Sequence, residues 1–573
     1  MQKYSPFLTF LTILLLQGLC HDNILAQSRS FAGLPIMSPS KDSANVDFKY
    51  SDDLNHLPEY NRINNIYEKL VAAKGDSRMR KPELNLRDEV RYAASMDYKL
   101  IEISLEKKAY DVAVNYGDAA IAFLLAHELI HYYEKHGWRT QYTIANSDLE
   151  TGKILGSIND KIINEVQADV LGGFLAYSAG FGNFENGGKL INDLYKEYKM
   201  KEEIENYPSK NERIKLAERN KEKMTKLSSL YEMAGLLSVI GKYKEAYFYY
   251  EHLLNIYQSR ELYNNAGLTC MILANSLMNQ DSIKFELPGV MDLEFSGDSR
   301  SASKYDEINK HINEALNHFE TCIIMDKTYL PAYINKSSAL IIKAINCEPK
   351  IRNITFKTVN HILDGQWEEL KIVHPQLDFD KYQDEILVLR SILAYFQNDK
   401  TTSINLMTKA ADNGSENAKK NLAIINEIPL SNTISDKGIT INFDSVTVEK
   451  LLLSEKFGPN KTEMDPSKSN IFRVLDKSKE NFKFYLHEYK GTQEEFGYDL
   501  GFIVSKKSFT NAFLGDLKLG SDKKDVIATL GQPKRALSHI NGEILNFNDR
   551  IIIITNQEGK VEKLIDFKKI DKP

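Results

Sequence analysis

Apolar positions change their period twice along the chain. Residues 61–73 recur at helical spacing, and 99–105 alternate like a strand, with Leu100, Ile101, Ile103 and Leu105 supplying its apolar content. A strongly apolar run then begins at Asp118, which is placed to cap a helix, and continues to about His136 before Gly137. A second helix is expected over 159–179, closed by Gly180. From 228 to 427 small and large apolar residues recur in paired amphipathic helices, with 276–305 interrupting the period. After Ile428-Pro429 alternation takes over. Residues 439–443, 482–489, 544–548, 551–555 and 561–567 read as strands, with a hairpin around Asn548-Asp549-Arg550 and a short helix over 523–530.

The chain has 573 residues, enough for about three to five domains at roughly 100–200 residues each. Its 30 Gly and 15 Pro are few for that length, which favours helices over a many-stranded, turn-rich fold. Lys and Arg number 73 against 79 Asp and Glu, with no long basic run, so nothing points to nucleic acid or anionic lipid as a partner. Residues 1–26 read as a signal peptide: Lys3 is followed by the apolar stretch Phe7 to Leu16, and Ala26 offers a cleavage point. The expected location is therefore periplasmic or secreted. Lipid anchoring at Cys20 is the rival, disfavoured by the bulky Leu19 before it. No later stretch has the ~18 apolar residues of a membrane span, so the mature chain is expected to have none. The remaining Cys270, Cys322 and Cys347 are too few and too scattered for a disulfide framework and read as buried small hydrophobes.

The sharpest chemical signal is Ala126-His127-Glu128-Leu129-Ile130-His131. Two histidines four residues apart share one face of a helix and can ligate one metal ion, with Glu128 beside a metal-bound water. A zinc site of the catalytic type takes three protein ligands, and Glu165, in Asn164-Glu165-Val166-Gln167-Ala168-Asp169, is the best third. Asp169 lies one turn further on, where it can accept a hydrogen bond from the far nitrogen of a liganding histidine. The flanking Ile162, Ile163, Val166, Ala168 and Val170 suggest that this face is apolar. His136 and Trp138 either line a specificity pocket or, for His136, interact with the helix dipole. Tyr132 and Tyr133 are both candidates to polarise a carbonyl, and sequence does not choose between them.

On Leu125 to His131, Glu165 to Asp169 and Tyr207-Pro208-Ser209-Lys210-Asn211-Glu212-Arg213-Ile214, the chain resembles the HtpX-like and CaaX-protease-like gluzincin metallopeptidases. It departs from that pattern at Val170, where Arg is usual, and at Tyr207, where His is usual. Leu230, Met233, Ala234, Leu237, Gly241, Tyr243, Ala246, Tyr250 and Leu253 resemble a tetratricopeptide repeat, as in exported BepA-type members of that group. Residues 518–566 resemble the small module shared by the lipoprotein of the outer-membrane barrel-assembly machinery and the β-lactamase inhibitor protein.

The expected fold is mainly α with a small α+β C-terminal part. After the leader and a poorly ordered lead over 27–60 come three parts. A helical metallopeptidase domain with an edge strand spans 61–227, an α-solenoid of degenerate repeats 228–427, and a β-rich module 428–573. The resemblance implies an exported zinc endopeptidase, with one zinc ion on His127, His131 and Glu165 and with Glu128 as general base. Leu100, Ile101 and Ile103 would form an edge strand for extended substrate, and the repeats would bind protein substrates or partners. The alternative is a non-proteolytic chaperone or assembly scaffold with an occluded or structural zinc site.

Overall fold

The computed structural model describes residues 31–35, 54–137 (except 89–91 and 99), 147–150, 161–202 (except 183 and 185), 209–278, 285–291 and 304–428. It further describes 443, 447–452, 462–463, 470–476, 481–489, 497–533, 535–539, 542–547 and 550–571. The leader, Cys20 and Trp138 lie outside the described residues, as does the strand expected over 439–443 apart from Phe443. The chain divides into two compact units, residues 1–72 with 79–224, and residues 73–78 with 225–573. Both are rich in helix, and the C-terminal part carries an antiparallel sheet.

The first unit holds β1 (Phe31–Pro35), α1 (Pro58–Lys74), β2 (Glu83–Arg87), β3 (Tyr92–Asp97), β4 (Glu102–Glu106) and α2 (Lys107–Ala113). These are followed by α3 (Asp118–Tyr133), α4 (Lys161–Ala176) and α5 (Gly187–Glu197). A further helix, α6 (Lys210–Val239), contains the position where the units divide. Helix α3 is apolar on nearly every side because it is central, packed on β3, β4 and α4. Its N-cap is Gly117, with φ of 83°, rather than Asp118, whose carboxylate pairs with Arg62 at 2.6 Å.

The sheet order is β1-β3-β4-β2, which corrects one sequence-based expectation. The strand read over 99–105 is not an edge: β4 pairs antiparallel with β3 and parallel with β2. Only Ile103 of its three named residues is in the strand, and it is fully buried. Leu100, 45% exposed, and Ile101, at φ 56°, form the β3–β4 turn, where the Leu100 amide donates to Asp97 Oδ1 at 3.0 Å. Apolar residues in a tight turn mimicked two extra positions of strand alternation.

In the second unit, α7 (Tyr243–Leu254), α8 (Arg260–Leu277), α9 (Lys304–Met325), α10 (Leu330–Ile345) and α11 (Pro349–Asn360) pack each on the next, and α11 runs on through the π-helical turn His361–Gln366 into α12 (Trp367–Val373). The series ends with α13 (Gln383–Phe396), α14 (Lys400–Asp412) and α15 (Glu416–Ile425). Small residues sit where helices touch, as at Ser391, whose hydroxyl donates to the Ser403 carbonyl at 2.6 Å. The segment read as an insertion includes β5 (Val290–Met291), which buried side chains tether to the helices. Asn335 Oδ1 accepts from the Val290 amide at 2.7 Å, and Asn264 and Asn335 amides donate to its carbonyl.

After a short helix, α16 (Val448–Leu452), come β6 (Thr462–Glu463), β7 (Asn470–Asp476), β8 (Phe482–Tyr489), β9 (Tyr498–Ser505) and α17 (Lys523–Leu530). The sheet is completed by β10 (Arg535–His539), β11 (Gly542–Phe547), β12 (Ile551–Asn556) and β13 (Val561–Asp571). Its order is β5-β10-β11-β12-β13-β9-β8-β7-β6, and the hairpin expected around 548–550 joins β11 to β12. The run Ile551-Ile552-Ile553-Ile554 is buried throughout because both faces are covered. Phe484, Ile503, Ile551 and Ile553 pack with Val526 and Leu530 of α17. On the opposite face Tyr249 of α7 hydrogen-bonds His487 Nδ1 at 2.9 Å, and Asn546 donates to the Val239 carbonyl at 3.3 Å.

Burial holds the His487 pKa down to about 4 from its ordinary 6.5, with nearby Lys242 assisting and Glu245 opposing. The unfolded chain therefore binds the extra proton between those values, and stability falls as pH drops through that window, by up to about 3 kcal/mol. Urea unfolding at pH 7 and at pH 4.5 should show a smaller acid-induced loss in His487→Gln than in the parent. Equal losses would contradict the buried neutral histidine.

Candidate metal centre

Helix α3 carries His127, Glu128 and His131, which are 0%, 0% and 1% exposed, and the site depends on how close α4 comes to it. Gly172 of α4 makes that approach: a Cβ there would lie 2.9 Å from the His127 amide nitrogen and 3.0 Å from its Cα. The helices touch backbone to backbone, and Glu165, Ala168, Asp169 and Gly172 follow each other at i, i+3, i+4 and i+7 on the face turned to α3. The apolar character of that face comes from Ala168, Leu171 and Leu175, all buried, whereas Ile163 is 56% exposed.

Three donor atoms converge. His127 Nε2 and His131 Nε2 are 3.0 Å apart, and the Glu165 carboxylate oxygens lie 3.4 Å from the first and 3.5 Å from the second. Ligands held at about 2.0–2.1 Å in a tetrahedron around zinc sit about 3.3 Å from one another, so the spacing fits one ion with a position left over. Among the described residues this is one of two such groupings.

The far ring nitrogens are also engaged. Asp169 Oδ1 lies 2.8 Å from His127 Nδ1, so a proton on Nδ1 leaves the Nε2 lone pair free to ligate. His131 Nδ1 meets His136 Nδ1 at 2.9 Å, and His136 Nε2 meets Gln167 Oε1 at 3.1 Å. The amide oxygen can only accept, so His136 carries its proton on Nε2 and accepts at Nδ1. His131 must then donate from Nδ1, and its Nε2 also faces the centre as a lone pair. His136, 2% exposed, thus lies between His131 and Gln167, where it orients the His131 ring.

Arg213 of α6 is 7% exposed, and its charge acts on both Asp169 and Glu165. Burial alone would push the Glu165 carboxyl up, but His131, His127 and Arg213 together hold it below its usual value, so it stays ionised. Burial also depresses His127, yet Asp169 and Glu165 outweigh it and raise its pKa to about 10. For His131 burial wins, with His127 and His136 assisting against Glu165, and its pKa falls to about 3. The centre attracts positive charge while keeping one imidazole neutral. Of the two tyrosines left open by the sequence, Tyr132 donates its hydroxyl to the Arg80 carbonyl at 2.7 Å, and Tyr133 is 8% exposed. Tyr207 and Pro208 lie outside the described residues.

Sequence reasoning passed over the roles of Gln167, Arg213 and Gly172, and it did not foresee the contact of His136 with His131. For Gly172 the usable signal was its i+7 spacing from Glu165. No helix among the described residues is long and apolar enough to cross a membrane. The chain matches no protein-family model and no curated protein.

Helix propensity alone would make Gly172→Ala stabilising by about 1 kcal/mol. The close backbone approach reverses that sign, and the substitution is expected to destabilise the first unit by about 1–2 kcal/mol through overpacking. Thermal unfolding measures the difference, and a raised midpoint would contradict the packing of α3 on α4.

Proposed function

We propose that the chain is an exported zinc-dependent endopeptidase that cleaves protein substrates, with a site resembling that of the HtpX-like gluzincins. The observation that carries this reading is the convergence of His127 Nε2, His131 Nε2 and the Glu165 carboxylate at the mutual spacing of three ligands to a tetrahedral ion. A zinc ion bound there supplies Lewis acidity, which acidifies water and polarises a carbonyl. Everything else is the work of the chain itself.

Asp169 and the His136–Gln167 pair hold the two imidazoles in the tautomer that turns Nε2 inward. Arg213 balances buried carboxylate charge next to the ligands. Glu128, fully buried beside His127, accepts a proton from the attacking water and returns it to the nitrogen of the breaking C–N bond, so that hydroxyl ends on the new carboxyl and hydrogen on the new amine. A purely structural metal site has no use for such a base, which favours catalysis over scaffolding. The paired helices of 228–427, tetratricopeptide-like in their small-residue contacts, offer surfaces for choosing protein substrates or partners.

Glu128→Gln is expected to keep stoichiometric zinc in the purified protein while casein cleavage falls at least a hundredfold, within the usual range for losing a general base. Unchanged cleavage would refute the assignment. In competition titrations with a chelator, His136→Ala should weaken zinc binding by about 10–100-fold, the range for an outer partner of a ligand. Glu165→Ala should weaken it further, since only two protein ligands remain. Wild-type zinc affinity in the Glu165 variant would mean that the third ligand is another residue.

A further inference from the structure

The helices α8 and α9 pack closely, with α9 side chains against a glycine of α8. A Cβ on Gly267 of α8 would lie 2.7 Å from the Phe319 ring of α9. Nearly one turn beyond Gly267, Cys270 is fully buried against α9 at the level of His311 and Glu314. Those two residues are three apart and share a helix face. Cys270 Sγ lies 3.9 Å from Glu314 Oε2, and His311 Nδ1 lies 3.0 Å from the same oxygen. All three donor atoms fall within 4.8 Å of one another.

An ion bound tetrahedrally at about 2.3 Å from sulfur and about 2.0–2.1 Å from nitrogen and oxygen sets S···O near 3.5 Å and N···O near 3.3 Å. The observed separations bracket those values, so small side-chain rotations would complete the geometry. Cys270 and His311 are buried, at 0% and 9%, whereas the Glu314 side chain is 28% exposed and gives solvent access. Lys310, 68% exposed, pairs with Glu314 across 3.8 Å and can swing away. On the inner side Tyr247 of α7 hydrogen-bonds the thiol and also His318 Nε2, the latter at 3.1 Å.

We propose that Cys270, His311 and Glu314 form a second metal site, suited to zinc, that clamps α8 to α9. The site is separate from the first in residues and in ligand chemistry, since it contains sulfur and the first does not. Binding releases the thiol proton to solvent and places the His311 proton on Nε2, so that Nδ1 ligates. Thiolate and carboxylate together then neutralise a dication, and water fills the fourth position.

Sulfur makes the test selective. The full chain, stripped of metal by a chelator, is titrated with Co2+ and followed by absorption. The expected result is a near-ultraviolet thiolate-to-cobalt charge-transfer band in the parent and in His131→Ala, where the first site is crippled. That band should vanish in Cys270→Ser and weaken in Glu314→Gln, a change at a partly exposed side chain that spares the core if the Ser variant fails to fold. Saturating Co2+ without a thiolate band in the parent would overturn the site, and so would a band that survives in Cys270→Ser.

Discussion

The first unit depends on one contact: the backbone of α4 at Gly172 lying against the backbone of α3 at His127. That approach removes water from two imidazoles and two carboxylates at once, and burying such groups is costly unless each is paired. The structure meets the cost locally. Asp169 takes the outer nitrogen of His127, His136 takes that of His131, and Arg213 sets a cation next to both carboxylates. The inward-facing atoms of His127, His131 and Glu165 then share one small volume, where a cation would satisfy all three.

Sequence spacing was enough to bring these residues together because the candidate ligands sit on regular helices. An interval of four residues fixes a shared face whatever the tertiary structure, so His127 with His131 and Glu165 with Asp169 were readable in advance. The partners that hold them were not. His136 follows α3 beyond the turn at Lys135, whose φ is 57°, and its ring reaches back to His131 through chain geometry that no helical period encodes. Arg213 arrives from another helix altogether. The edge strand failed for a related reason: alternation shows that a segment is extended but not which neighbours it has, and β4 is flanked on both sides.

In the second unit the helical and strand periods were legible, but their burial was not. A strand with one wet face should alternate, and Ile551-Ile552-Ile553-Ile554 does not, which in retrospect signals cover on both faces. Helices α6 and α7 on one side and α17 on the other supply it. The segment between α8 and α9 broke the repeat period, yet buried Asn264 and Asn335 tie it into the helices through the Val290 backbone. Buried amides of this kind fix register, and they leave no periodic trace.

The central claim is that His127, His131 and Glu165 ligate one ion. Anomalous diffraction from crystals of the zinc-loaded protein, recorded on either side of the zinc absorption edge, tests it most directly. The account requires a difference peak about 2.0–2.2 Å from His127 Nε2, His131 Nε2 and a Glu165 carboxylate oxygen. Zinc-loaded crystals with no peak between α3 and α4 would contradict it.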